Sequence, residues 1–298
     1  MTASLVGAIK RRTPTSLYPF ARSLYHRVVA PVECWSVATA DRLLGRTYEG
    51  RSLPPAALRF KVRGTPDGNA FASIGRSCAR DLRDTLATSG RKLDDFHSIL
   101  DFGCGWGRIL RFFLRDCLAA NLHGIDVDPG LVEICRKTMN YGSFDVVDPL
   151  PPTRVATESF DFVVGYSVFS HLAEHASLAW VEELARVLKP GGIMVVTTEP
   201  REFIELCRSL RGQNHEFAWH QALANSFVDT EAAYRAYDAG EYLYAPTGGG
   251  SYRPADFYGE ALIPEGYVRA RWTKFLRFVD FVSDPQRFTQ ALIVMQKN

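Results

Sequence analysis

The chain has 298 residues, 46% hydrophobic and 23% charged, the balance of a globular protein and not of a disordered or membrane-embedded one. Its formal net charge of +2 and pI of about 8.2 argue against a nucleic-acid binder, which more often shows a basic stripe and a pI above about 9. Six scattered cysteines form no CxxC pair and no Cys/His zinc spacing, and neither a long apolar run nor a signal-peptide pattern is found; a cytoplasmic protein with reduced thiols and no membrane span is expected.

The first 50 residues interleave Lys10, Arg11, Arg12, Arg22 and Arg27 with apolar residues. They read as a helical arm packed on its own core or on a second copy in a homodimer, the alternative being a basic amphipathic helix that touches a membrane or a partner. Pro54-Pro55 ends this pattern, and Phe71 to Ser89 is predicted helical from Ile74, Cys78, Leu82 and Leu86. From Ser98 the rhythm changes: a short strand, the turn FGCGWGR, a helix over Ile109 to Leu118, a strand over Leu122 to Val127, and a helix from Asp128-Pro129-Gly130 to about Met139. Strands follow at Phe160 to Gly165 and Ile193 to Thr198, separated by a helix over Leu178 to Leu188. Such alternation implies a parallel sheet with helices on both faces. Residues Glu202 to Asp238 look helical, Gly240 to Gly259 is rich in Gly, Tyr and Pro, and strands are predicted at Tyr267 to Trp272, Phe275 to Val282 and Arg287 to Met295. The last two are expected to close the sheet as an antiparallel hairpin.

The turn LDFGCGWGR places Gly103, Gly105 and Gly107 between the first strand and its helix, where open α/β sheets bind ligands. A dinucleotide fingerprint needs GxGxxG, but its third glycine is here Arg108, and no Walker lysine follows. The expected ligand is a nucleoside with no phosphates to hold. Asp126, 25 positions after Asp101, falls where an acid accepts hydrogen bonds from ribose hydroxyls. Asp128 competes for that role but has its own work as a helix N-cap, so Asp126 is favoured.

DFGCGWG resembles the Asp/Glu-x-Gly-x-Gly-x-Gly motif of class I methyltransferases that use S-adenosylmethionine. HGIDVDPGLVEICRK is similar to their second motif, and SFDFVVGYSVFSHL with ELARVLKPGGIMVVTTEP to their fourth strand through fifth. The likeness covers roughly residues 96 to 200 and extends, more weakly, to a bacterial branch acting on small molecules. It implies a Rossmann-like seven-stranded α/β sheet with a terminal antiparallel β-hairpin, an N-terminal helical arm and an inserted cap. The implied division is an arm and cofactor lid over 1–95, a cofactor-binding core over 96–200, a substrate cap over 201–265 and closing strands over 266–298. By the same resemblance, Gly103, Cys104, Gly105 and Gly107 frame the amino acid part of S-adenosylmethionine, Asp101 lies near its amino group, Asp126 holds the ribose and Val127 borders the adenine. In many members an acid after the third strand contacts the adenine amine; in FDVVDPLPP Asp148 is the candidate for it, the alternative being backbone contacts suggested by the prolines, and Tyr166 and Ser167 are implied to sit near the sulfonium and substrate.

Methyl transfer asks chiefly for alignment, which is worth about 7–11 kcal/mol, and for a base only when the acceptor must lose a proton. Tyr166, His171 and Glu199 are the catalytic candidates; His171 has the alternative of packing against the next helix, and His215 and His220 the alternative of surface positions. Aromatic residues from Phe217 to Tyr258 suit a cap over an apolar or aromatic acceptor. The Asn/Asp-Pro-Pro-Tyr/Phe pattern of nucleic-acid amino methyltransferases is absent after Gly165, and no carboxylate set for a metal is evident. The expected acceptor is an oxygen or nitrogen of a small molecule. The alternatives are a non-catalytic cofactor-binding partner protein and an NAD(P)-dependent oxidoreductase.

Overall fold

The computed structural model describes residues 53–63, 67–114, 116–139, 141–215, 218–250 and 252–298. Most of the N-terminal arm, and with it the homodimer expectation, lies outside the described residues, as does Phe217.

Helices α1 (Ala56–Arg63) and α2 (Gly68–Thr88) lead into strand β1 (Ile99–Phe102). There follow α3 (Leu110–Phe113), β2 (Leu122–Asp126), α4 (Pro129–Thr138), β3 (Ser143–Val146), β4 (Phe160–Gly165), α5 (Glu174–Val187) and β5 (Leu188–Thr198). Seven strands form one sheet in the order β3-β2-β1-β4-β5-β9-β8, with β8 at Arg277–Val282 and β9 at Ala291–Gln296. The first five run parallel, and β9 pairs antiparallel with both β5 and β8. The class I sheet with its terminal hairpin is therefore present. β1 and β4 read as near-continuous apolar runs because helices cover both sheet faces. On one face Leu82 and Leu86 of α2 pack with Ile99, Phe112 and Phe162, and on the other Trp180, Val181 and Leu184 of α5 pack with Leu100, Val163 and Met194. Helix α4 starts where its sequence dictates: the Asp128 carboxylate accepts from the Gly130 and Leu131 amides, with Pro129 in the first turn.

Beyond β5 come α6 (Phe203–Ser209), α7 (Ala218–Ala224) and α8 (Thr230–Asp238), then a two-stranded antiparallel sheet of β6 (Leu243–Ala245) and β7 (Glu260–Leu262). This cap has its own small core of Phe203, Ile204, Leu223, Leu243 and Leu262. It is tied to the main sheet where the Ile263 amide donates to Thr198 Oγ1 at 2.8 Å and the Gly259 amide to the His171 carbonyl at 2.7 Å.

Two sequence expectations are corrected. Tyr267 to Trp272 is not a strand: α9 spans Glu265–Arg271, with Pro264 as N-cap, Glu265 in the first turn and Arg269 and Arg271 in the last, charges placed to suit the helix dipole. Strand β3 lies between α4 and β4 without a strand signal of its own, because of its four residues only Phe144 is buried. The helix expected over Ile109 to Leu118 contracts to the four residues of α3.

Candidate active site

The glycine alternation has a conformational cause. Gly103, Gly105 and Gly107 adopt φ of 73°, 56° and 75°, the left-handed region that a side chain makes costly. At Gly103 a Cβ would also run into the Val168 side chain, whereas at Gly105 it would have nothing within 4 Å; the turn is crowded behind and bare in front. The Gly103 and Cys104 amides donate to the Ile125 carbonyl at 2.8 and 3.0 Å, and Gly105 N donates to Asp126 Oδ2 at 2.8 Å. Asp126 Oδ1 accepts from the Asp128 amide at 2.9 Å. The acid at the end of β2 thus braces the turn and keeps lone pairs on the cleft side. Asp101 is 2% exposed, its Oδ2 has no hydrogen-bond partner, and burial pushes its carboxyl up to about 8 against the pull of Arg108.

In front of the turn lies a cleft bordered by Gly103, Asp126, Val127, Ser167, Arg253 and Tyr258. Gly103, Asp126, Val127 and Ser167 are thus brought together there. Cys104 is buried behind the turn. Asp148 is exposed and borders a neighbouring depression with Asp145 and Arg154, not this cavity. Arg253 had no signal in the sequence reading.

A second cavity of about 990 Å³ is bordered by Arg108, Tyr166, Ser167, Glu199, Trp219 and Gln290, among others. Ser167 belongs to both cavities, so they meet at the carboxyl end of β4. Its φ of 58° is rare for a residue with a Cβ, a strained conformation that the surrounding structure must hold. It is held by its amide, which donates to Thr197 Oγ1 at 2.7 Å, and by its hydroxyl, 3.0 Å from Gln290 Oε1.

The catalytic candidates are placed unequally. Tyr166, next to the end of β4, donates its hydroxyl proton to Asp81 Oδ2 of α2 at 3.1 Å, and burial raises its pKa still further from neutrality. It is a wall of the second cavity. Glu199 stands at that cavity, 8% exposed, its Oε1 accepting from Gln290 Nε2 at 2.6 Å. His171 follows β4 in a short 3-10 turn, with Nδ1 2.8 Å from the Gly259 carbonyl oxygen and its ring stacked on Tyr258 at 5.0 Å. Glu260 of β7, absent from the sequence reading, completes the group: its Oε2 is 3.4 Å from His171 Nδ1. One donor atom from each of His171, Glu199 and Glu260 lies within 4.8 Å of the others, a set spread over 89 positions of chain. His215, by contrast, stays in the cap with Nε2 2.6 Å from the Leu210 carbonyl oxygen, beside His220.

Residues 99–192 match the family profile described as a methyltransferase domain. Among curated proteins, the ribosomal protein L11 methyltransferase of Burkholderia thailandensis is 39% identical over 139 residues, 46% of this chain and 42% of that one. The ubiquinone biosynthesis O-methyltransferase of a Methylobacterium species is 27% identical over 164 residues, 53% of this chain and 64% of that one. The chain spans about half the length of the curated relatives it matches. A solved S-adenosylmethionine-dependent methyltransferase from Mesorhizobium loti aligns at 13% identity and a TM-score of 0.46, covering 67% of this chain and 90% of that one. No helix among the described residues is long and apolar enough to cross a membrane. Residues 99–192 thus combine a match to the methyltransferase-domain profile with strands β1 to β4 of the seven-stranded sheet.

Proposed function

We propose that the protein is an S-adenosylmethionine-dependent methyltransferase that moves a methyl group onto an oxygen or nitrogen of a small-molecule acceptor by in-line displacement. The observation that carries this reading is the bare turn of Gly103 to Gly107 between Asp101, whose buried oxygen has no partner, and Asp126. A carboxylate under the turn suits the ammonium of an amino acid, and one beyond it suits two ribose hydroxyls. Asp101 and the turn backbone would hold the amino acid part, Asp126 the ribose and Val127 the edge of the base; Tyr258 and Arg253 would close the cleft from the cap. Bound there, S-adenosylmethionine supplies a methyl group already activated on a sulfonium.

The protein's own task is alignment. Ser167, shared by both cavities, stands at the line along which an acceptor meets the methyl. Tyr166, Trp219 and Phe203 wall the acceptor side. Glu199 and His171 are the groups to receive a proton from an acceptor that must lose one. The side-chain-walled cavity favours a small acceptor, although curated relatives include enzymes named for a ribosomal protein.

Calorimetric titration with S-adenosylhomocysteine tests the reading. The wild-type chain should bind at one site, and Asp126→Ala should bind at least about tenfold more weakly, the loss of charged hydrogen bonds worth about 1.5–3 kcal/mol. Failure of the wild-type chain to bind, or binding of NADH in its place, would overturn the assignment.

A further inference from the structure

The meeting of His171, Glu199 and Glu260 carries more than proton transfer. All three approach from different elements: the turn after β4, the end of β5, and the start of β7. The two carboxylates are each fixed from behind by one atom: Gln290 Nε2 donates to Glu199 Oε1 at 2.6 Å and Trp219 Nε1 donates to Glu260 Oε1 at 2.7 Å, while the His171 ring is stacked on Tyr258. Outer partners of this kind are what orient the ligands of metal sites.

The inward atoms are under-satisfied. Glu260 is 2% exposed, and its Oε2 is buried without a hydrogen bond, its nearest charged neighbour being His171 Nδ1 at 3.4 Å. Two buried carboxylates and one imidazole crowd together here, and buried charges are costly unless paired or ligating a metal. The 3.4 Å spacing is itself informative: two donors each about 2.1 Å from a shared ion, at about the tetrahedral angle, stand about 3.4 Å apart. The Gly259 carbonyl oxygen lies on the same side of the ring as a further oxygen donor, and a proton on Nδ1 fills that place when no ion does.

We propose that His171, Glu199 and Glu260 bind a divalent metal ion at the floor of the acceptor cavity. One imidazole with carboxylate and carbonyl oxygens suits ions such as Mn²⁺, Fe²⁺ or Zn²⁺ and disfavours soft Cu⁺. Glu199 opens onto the cavity, so a bound ion faces the acceptor and can hold its oxygen or nitrogen directly. The inference rests on that cavity being the acceptor side; with the ion in place, His171 and Glu199 act as ligands instead of receiving the proton themselves.

The test uses the full chain stripped with a chelator and titrated with MnCl₂, free Mn²⁺ being read by its electron paramagnetic resonance signal. One saturable site per chain is expected, with Glu260→Gln and Glu199→Gln each weakening it by about 10- to 100-fold or more. S-adenosylhomocysteine titration of the same variants should match the wild type, which certifies the fold. No saturable binding of Mn²⁺ or of Zn²⁺ to the wild type, or equal binding in both variants, overturns the metal site and assigns the cluster to a proton or a cationic acceptor group. Mn²⁺ binding without S-adenosylhomocysteine binding would leave the site standing and sink the methyltransferase reading.

Discussion

Asp101 carries, at the level of one residue, the stability cost that the proposed cofactor site implies. Its carboxyl is buried, half unpartnered and pushed up to about 8 by desolvation, against an ordinary value near 3.9 in an unfolded chain. Between those values the folded state holds a proton that the unfolded state has lost. Stability contributed by this group is therefore full below about pH 4, falls as pH rises, and levels off above about pH 8. Asp101→Asn should remove that decline: its thermal midpoint should exceed the wild type's at pH 8, by roughly 1–3 kcal/mol of stability for an unsatisfied buried group, and the gap should close toward pH 4. The same variant should lose affinity for S-adenosylhomocysteine. In the wild type that affinity should rise between pH 6 and 8 as the carboxylate becomes available to the ligand's ammonium. Parallel melting curves for the two proteins at pH 4 and pH 8 would refute the first half; equal affinities in calorimetry would refute the second.

At the level of elements, helix α2 is pressed onto the glycine turn. Trp106 stacks on Phe71 at 4.2 Å, and a Cβ at Gly75 would meet the Arg108 carbonyl and the Phe112 ring. Gly75→Ala should cost about 1–3 kcal/mol, as overpacking does, and weaken S-adenosylhomocysteine binding by displacing the turn; a chemical-denaturation midpoint equal to the wild type's would refute this contact. On the opposite face, Glu183 of α5 accepts from the Thr153 amide and hydroxyl at 2.8 and 2.6 Å and from Arg186 at 2.7 and 2.8 Å. These donors hold its carboxyl down at about 2. Its stabilising contribution is thus present above the ordinary carboxylate range near 4.5 and lost as pH falls toward 2, so Glu183→Gln should flatten acid unfolding followed by circular dichroism in that window. What was legible in the sequence follows the same scale. Gly103 to Gly107 and the Asp128 cap announced themselves because their geometry is local. α9 did not, since Tyr267, Val268 and Trp272 imitate strand composition while its helix signals sit at Pro264, Glu265 and Arg271. Nor did Glu260 and Gln290, whose places beside Glu199 depend on the cap sheet and the terminal hairpin returning to the end of β5.

For the whole molecule, the decisive feature is that one cleft is built from both the sheet and the cap. Gly103, Asp126 and Ser167 come from the sheet side, and Arg253 and Tyr258 from the segment leading into β7, which hangs on His171 through Gly259. A ligand held between two parts stabilises the fold by mass action. At about 100 times its dissociation constant it adds about 2.7 kcal/mol, or about 5–10 °C in thermal midpoint for a protein of this size. If the cap contributes as its position implies, Tyr258→Ala should keep the ligand-free midpoint within a few degrees and forfeit a large part of the S-adenosylhomocysteine shift at fixed ligand concentration. The tyrosine's role is split between the cleft wall and its stack on His171, so Tyr258→Phe, which keeps the ring, should restore the shift. A full shift in Tyr258→Ala would place the cofactor's binding energy on the sheet alone and reduce the cap to a wall of the acceptor cavity.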